Sequence, residues 1–279
     1  MISFPNSKYL LLIGTLFFHL NFFAQKKLKS SQQKFQKQNT MENKMKIEVW
    51  SDVVCPFCYI GKRKLDLILQ NFEHKNKIQI EWKSFQLDPE MITQPNKNIN
   101  QYLSERKGIP LKKAQELNEY VSNMAKEVGL HYNLDKAIPA NTLKAHQLIH
   151  YAKKFGKQTE AEELLFQSYF IDGKNIDDIN TLLEVAKSLG LNTNELKDIL
   201  ENNKLVNEVQ QDIYEAKQLG ISGVPFFLFN DKYAISGAQD IKVFSHTLDK
   251  AYKDWEKENQ STTIETIKGK VCTPDGECK

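Results

Sequence analysis

Cys55 and Cys58 stand two residues apart in the stretch VWSDVVCPFCYIGKRKLDLIL, residues 49 to 69. A dithiol at this spacing can cycle: one thiolate attacks a disulfide, a mixed disulfide forms, and the second thiol resolves it. The same pair could serve as half of a zinc site or as a local staple. Zinc half-sites favour knuckles and loops, and a disulfide across so short a loop adds little stability. This pair instead follows an apolar run and precedes a helical pattern. At such a junction Cys55 falls at or next to a helix N-cap, and Pro56 falls near the first helical position. Unpaired N–H groups and the positive end of the helix dipole then favour thiolate over thiol at Cys55. Phe57 is apolar and supplies no cation of its own.

Val224-Pro225, in GISGVPFF (220 to 227), is a second candidate. A proline here removes a ladder donor at a strand start, and X-Pro is the bond type that can be cis. Such a turn would leave Val224 backbone groups free to pair with an extended substrate. An ordinary trans proline at a strand start fits the segment equally well. Cys272 and Cys278 bracket TPDGE, a turn-forming run that allows a local disulfide. They form a possible second redox pair, either passing electrons to Cys55 and Cys58 or closing a passive tail loop. His146 and His150 share one helix face, but no H-E-x-x-H pattern or third ligand accompanies them. A packing or hydrogen-bonding role is expected, with no metal. Asp52 is expected to cap a strand end, and Glu81 with Lys83 to form a surface pair.

These residues need a scaffold. MKIEVW (45 to 50) alternates and predicts a strand running to Val54, and IQIEWKSF (78 to 85) predicts a second. The helical pattern between them makes a right-handed βαβ unit with parallel strands. Helices are predicted at 99–107, 111–128, 141–155, 158–171, 175–189, 193–200 and 204–219. Strands return at 223–230 and 233–237 around Asn230-Asp231-Lys232, a tight hairpin signal, before a last helix at about 239–258. The outer pieces make a four-stranded mixed sheet with flanking helices, interrupted by an all-helical insert. The expected divisions are 46–92 and 204–258 for the sheet-bearing parts, 93–203 for the insert, and 259–279 for a tail.

Composition narrows the partners. A 41% apolar chain of 279 residues can bury a sizeable core, and a formal charge of +3 without a basic, aromatic-laced stripe argues against nucleic acid. KYLLLIGTLFFHLNFFAQ (8 to 25) reads as the core of a signal peptide over 1–25, too short for a stable membrane span, although Phe22 spoils the small-residue rule before Ala24. A basic, polar linker follows over 26–45. Export to the periplasm or beyond is expected; a start at Met41 or Met45 would instead place the protein in the cytosol, and an uncleaved membrane anchor is the third reading of the stretch.

Together, W-S-D-x-x-C-P-F-C-Y-I-G-K, F-Q-L-D-P, N-T-x-x-A-H and G-V-P-F-F resemble the DsbA-like thioredoxin-fold oxidoreductases, most closely the FrnE-like branch, over about 46 to 258. The resemblance implies a thioredoxin domain carrying a helical insert, Cys55 as nucleophile, Cys58 as resolving thiol and Pro225 as a cis-proline facing them. Pro56, Phe57, Val224 and Pro225 would contact substrate. It further implies exchange with protein or peptide thiols and disulfides, a recycling thiol or redox protein, and no cofactor. Some FrnE-like proteins look similar in carrying a C-terminal cysteine pair. Kappa-type glutathione transferases and 2-hydroxychromene-2-carboxylate isomerases share the layout but typically carry Ser at the position of Cys55. Such a transferase or isomerase is therefore the alternative activity, and a non-enzymatic chaperone-like module the second alternative. Phe57 stands where the periplasmic oxidant itself has His, which weakens any expectation of strong oxidising power.

Overall fold

The computed structural model describes residues 44–259. The expected leader, nearly all of the linker, and the tail with Cys272 and Cys278 lie outside them. The sheet runs β2-β1-β3-β4, with β1 at Met45–Ser51, β2 at Ile78–Ser84, β3 at Phe226–Phe229 and β4 at Tyr233–Ser236. β1 and β2 are parallel, with Met45 opposite Ile78 and Ser51 opposite Ser84. β3 is antiparallel to β1, setting Phe227 against Val49, and β4 is antiparallel to β3. The β3–β4 turn places Asn230 and Asp231 at φ 50° and 52°, the conformation that tight hairpins select for Asn and Asp.

α1 (Pro56–Gln70) connects β1 to β2 and α9 (Ile241–Asn259) follows β4, both packing on the sheet. Seven helices separate β2 from β3: α2 (Ile99–Lys107), α3 (Leu111–Glu127), α4 (Leu143–Lys153), α5 (Gln158–Phe166), α6 (Ile179–Ser188), α7 (Thr193–Glu201) and α8 (Val206–Gln218). Local chemistry sets their ends. Asn98, Asp178 and Asn192 accept backbone N–H groups of α2, α6 and α7, and Gly108 closes α2 at φ 61°. Because Asp178 caps α6, that helix starts later than the spacing predicts. α5 passes into one wide turn, Gln167–Ile171, rather than continuing as a regular helix. β1 stops at Ser51, short of the expected Val54, because the Cys55 N–H folds back to the Asp52 carbonyl at 2.9 Å.

The helices grip the sheet edge. The Trp82 N–H of β2 donates to Gln158 Oε1 at 3.0 Å, and Gln158 Nε2 donates to the Trp82 carbonyl at 2.7 Å. A side-chain amide thus substitutes for a fifth strand and covers an edge that would otherwise pair with another chain. On α8, Asp212 Oδ2 accepts the Ser84 N–H at 2.8 Å and lies 3.0 Å from His150 Nε2. The expected surface pair is not one. Lys83 is only 11% exposed at its side chain, and its ammonium lies within 4 Å of carboxylate oxygens of Glu48, Glu81, Asp212 and Glu215. Helix α8 packs over that strand face, which alternation alone does not reveal.

Candidate active site

Cys55 is the N-cap of α1 with φ −87° and ψ 112°, and Pro56 occupies the first turn, where its missing N–H costs no helical bond. The Cys55 thiol donates to the Val224 carbonyl at 3.6 Å, and the Val224–Pro225 peptide is cis. The expectation that Val224 leaves its backbone groups free is corrected for the carbonyl, which the thiol engages. Cys58 lies one turn along α1, its N–H bonded to the Cys55 carbonyl at 3.0 Å. Both cysteines are free thiols. They are 4% and 1% exposed, so Cys55 has the little contact with solvent that the pair enjoys.

Burial pushes the Cys58 thiol well above its ordinary range, and the adjacent Cys55 sulfur pushes in the same direction. The Asp52 backbone and the Ser51 hydroxyl pull the other way. The two sulfurs therefore differ in kind: one at a helix N-terminus facing a cleft, the other sealed beneath it.

That cleft, of about 500 Å³, lies between the β1–α1 turn and the insert. Cys55, Pro56 and Phe57 line one wall; Tyr102 and Leu103 of α2, Leu117 and Val121 of α3, and Phe170 line the other. Phe57 is 37% exposed and also borders a second hollow, of about 280 Å³, with Val224, Pro225 and Gly237. The four residues expected to contact substrate are thus gathered around one sulfur. Aromatic packing holds the turn in place. Tyr59 stacks on Phe166 at 4.8 Å, Tyr132 stacks on Phe170 at 4.7 Å, and Tyr132 OH donates to the Pro56 carbonyl at 2.7 Å.

A buried polar cluster underlies the pair, and sequence reasoning missed most of it. Asp52 is 1% exposed; its Oδ2 accepts the Leu87 N–H at 2.7 Å and its Oδ1 lies 3.4 Å from His146 Nε2. It does more than cap a strand. Although burial disfavours charge on His146, Asp52 raises that imidazole above its ordinary value. His146 Nε2 also lies 3.1 Å from the Phe85 carbonyl, while His150 Nε2 lies 3.1 Å from Ser84 Oγ. The two histidines hydrogen-bond in separate places. Among the described residues, no group of three His, Cys, Asp or Glu is placed to hold a metal ion. Glu162 of α5, the residue with no signal in the sequence, accepts the Ser51 hydroxyl at 2.7 Å.

Comparison with known proteins adds a frame. The family described as DSBA-like thioredoxin domain matches residues 46–249. The uncharacterized protein YwbO of Bacillus subtilis is 29% identical over 216 residues, covering 76% of this chain and 97% of that one. A probable DsbA oxidoreductase from Streptomyces coelicolor superposes with TM-score 0.70 at 31% identity, covering 84% of this chain and 98% of that one. The cytosolic disulfide reductase DsbM from Pseudomonas aeruginosa superposes with TM-score 0.53 at 15% identity, covering 76% of this chain and 98% of that one, a likeness of fold alone.

Proposed function

Since the chain belongs to the DSBA-like thioredoxin family, we propose that it is a thiol–disulfide oxidoreductase acting on protein or peptide disulfides through Cys55 and Cys58. The Cys55 thiolate attacks one sulfur of a substrate disulfide, forming a mixed disulfide and releasing the other substrate sulfur as a thiolate. Cys58 then attacks the Cys55 sulfur, closing the Cys55–Cys58 disulfide and releasing the second substrate sulfur. The substrate gains two electrons and the enzyme loses two; run backwards, the same steps oxidise a substrate dithiol. A recycling thiol or redox protein restores the starting state.

The observation that carries this reading is the position of the Cys55 sulfur. It caps a helix, touches the Val224 carbonyl and faces a cleft large enough for a substrate side chain. Pro56 and Phe57 form the near wall for the incoming chain, and Val224-Pro225 the opposing loop.

Trapping tests it. Cys58→Ser is expected to accumulate a mixed disulfide on Cys55, located by mass spectrometry of the tryptic peptide. Cys55→Ser is expected to abolish exchange; activity that survives it would end the assignment.

A further inference from the structure

Three tyrosines around the dithiol have their hydroxyls engaged. Tyr59 donates to Glu163 at 2.7 Å, Tyr102 to Asp88 at 2.8 Å and Tyr132 to the Pro56 carbonyl at 2.7 Å. Tyr169 differs. It lines the cleft that Cys55 faces and is only 2% exposed, yet its hydroxyl has no hydrogen-bond partner among the described residues. Nor is that oxygen one of the unpaired polar atoms sealed inside the protein, so its open side is the cleft.

The wide turn Gln167–Ile171 brings it there. The Asp172 N–H reaches back to the Gln167 carbonyl at 3.0 Å, the Asn133 N–H donates to the Phe170 carbonyl at 2.7 Å, and the Lys174 N–H donates to the Ser168 carbonyl at 2.8 Å. Two consecutive residues, Tyr169 and Phe170, thereby line the same cleft, with ring centroids 4.8 Å apart and planes at 90°. Turns of this wide kind inside helices recur at functional sites.

We propose that Tyr169 is the polar contact of the cleft, and that the cleft takes a tyrosine side chain of the substrate polypeptide whose phenol oxygen accepts the Tyr169 O–H. Two constraints select that occupant. The first is the wall: the rings of Phe57, Tyr102, Tyr120 and Phe170 border the space and suit an aromatic body. The second is the unpaired hydroxyl. Burial raises it above its ordinary value and the negative Asp52 pushes the same way, so it stays protonated and acts as a donor. Asp52 also disfavours a carboxylate as the acceptor, and the cations bordering the cleft do not offset this, since Arg106 is paired with Asp88 and Lys107 is exposed to water. A neutral oxygen on an aromatic ring meets both demands. Phenylalanine meets the first alone, and glutamine the second alone.

The inference deepens the oxidoreductase reading and rests on it, so the test is built to separate them. Two disulfide peptides, identical except for Tyr or Phe beside the cysteine, compete for a limiting amount of the reduced full-length chain, and the products are counted by mass. One neutral hydrogen bond predicts a preference for the Tyr peptide of about threefold to tenfold. In Tyr169→Phe the ratio should fall to about 1. A ratio near 1 in the wild type, or a preference that survives in Tyr169→Phe, would overturn the tyrosine assignment and leave the oxidoreductase reading standing. If Tyr169→Phe does not fold, a peptide carrying p-benzoylphenylalanine at the tyrosine position is irradiated on the wild type. Adducts are then expected within the tryptic peptide 158–174, which holds Tyr169, and adducts found only elsewhere would overturn the assignment. Failure of both peptides to form a mixed disulfide on Cys55 in the Cys58→Ser chain would overturn both proposals.

Discussion

Glu162 imposes a cost on the folded state that the pH should expose. Its ordinary value is 4.5 and its folded value about 7, so the native protein holds this proton more tightly than the unfolded chain. Stability from this group is full below pH 4.5 and is lost as pH rises through 7, a difference of about 3 kcal/mol. His146, which its Asp52 partner raises against the effect of burial, also holds its proton more tightly in the folded chain and adds to the decline as pH rises. Glu162→Gln should therefore flatten the profile and be the more stable form at pH 8, which urea midpoints at pH 5 and 8 would check. Gly61 makes a second residue-level case. A Cβ there would meet Phe227 Cζ at 2.9 Å and Pro225 Cγ at 3.2 Å. Phe227 is fully buried and has no space to yield. Overpacking costs about 1–3 kcal/mol and better helix propensity returns about 1. Gly61→Ala should thus lose about 1 kcal/mol in a thermal melt and slow exchange by displacing the Pro225 ring.

Asp212 shows how one helix anchors the far side of the sheet. Burial alone would raise its carboxyl, but the His150 imidazole, the Ser84 N–H and the Lys83 ammonium more than offset this and hold it below the usual carboxylate range. Its contribution is present above the unfolded value of about 3.9 and is lost as pH falls through the lower folded value. Removing one partner of a buried charged pair typically costs about 3–5 kcal/mol. Asp212→Ala should lose about 3 kcal/mol at pH 7 in urea titration, with the deficit shrinking near pH 3. At this scale the sequence was informative where the signals are local. Alternation marked the strands, Asn230-Asp231 marked the hairpin, and Pro56 after Cys55 marked the start of α1. Strand lengths and the start of α6 slipped because turns and caps, rather than apolar spacing, end those elements. The Ser51–Glu162 bond spans 111 residues. Glu162 sits in the run EAEELL beside Glu160 and Glu163, and nothing in helical spacing says which carboxylate will face inward. Asp212 and Lys83 were hidden for the same reason: burial depends on what packs opposite.

The helical insert gives the molecule a cleft that a bare sheet-and-helix domain would lack. One wall is the β1–α1 turn carrying Cys55, and the other belongs to α2 and α3, so the reactive sulfur lies at the seam of two parts of the chain. Phe57, Leu87, Leu117 and Tyr120, all more than a third exposed, surround the opening, and an Arg106–Asp88 ion pair closes one rim. Apolar surface left uncovered beside a reactive thiol suits a bulky side chain of the substrate polypeptide, and the volume of about 500 Å³ admits one. Leu103 of α2 lines this space on the wall opposite Cys55. Leu103→Trp should fill much of the cleft without altering the N-cap of α1. Because the lost contact is made equally in the ground and transition states, KM for a protein substrate should rise about tenfold while kcat holds. Alkylation of Cys55 by iodoacetamide, which needs no cleft, should stay within about twofold. A protein-substrate KM that is unchanged in this variant would show that the cleft does not take part in substrate binding. Recognition would then fall to Phe57 and the smaller hollow beside Pro225.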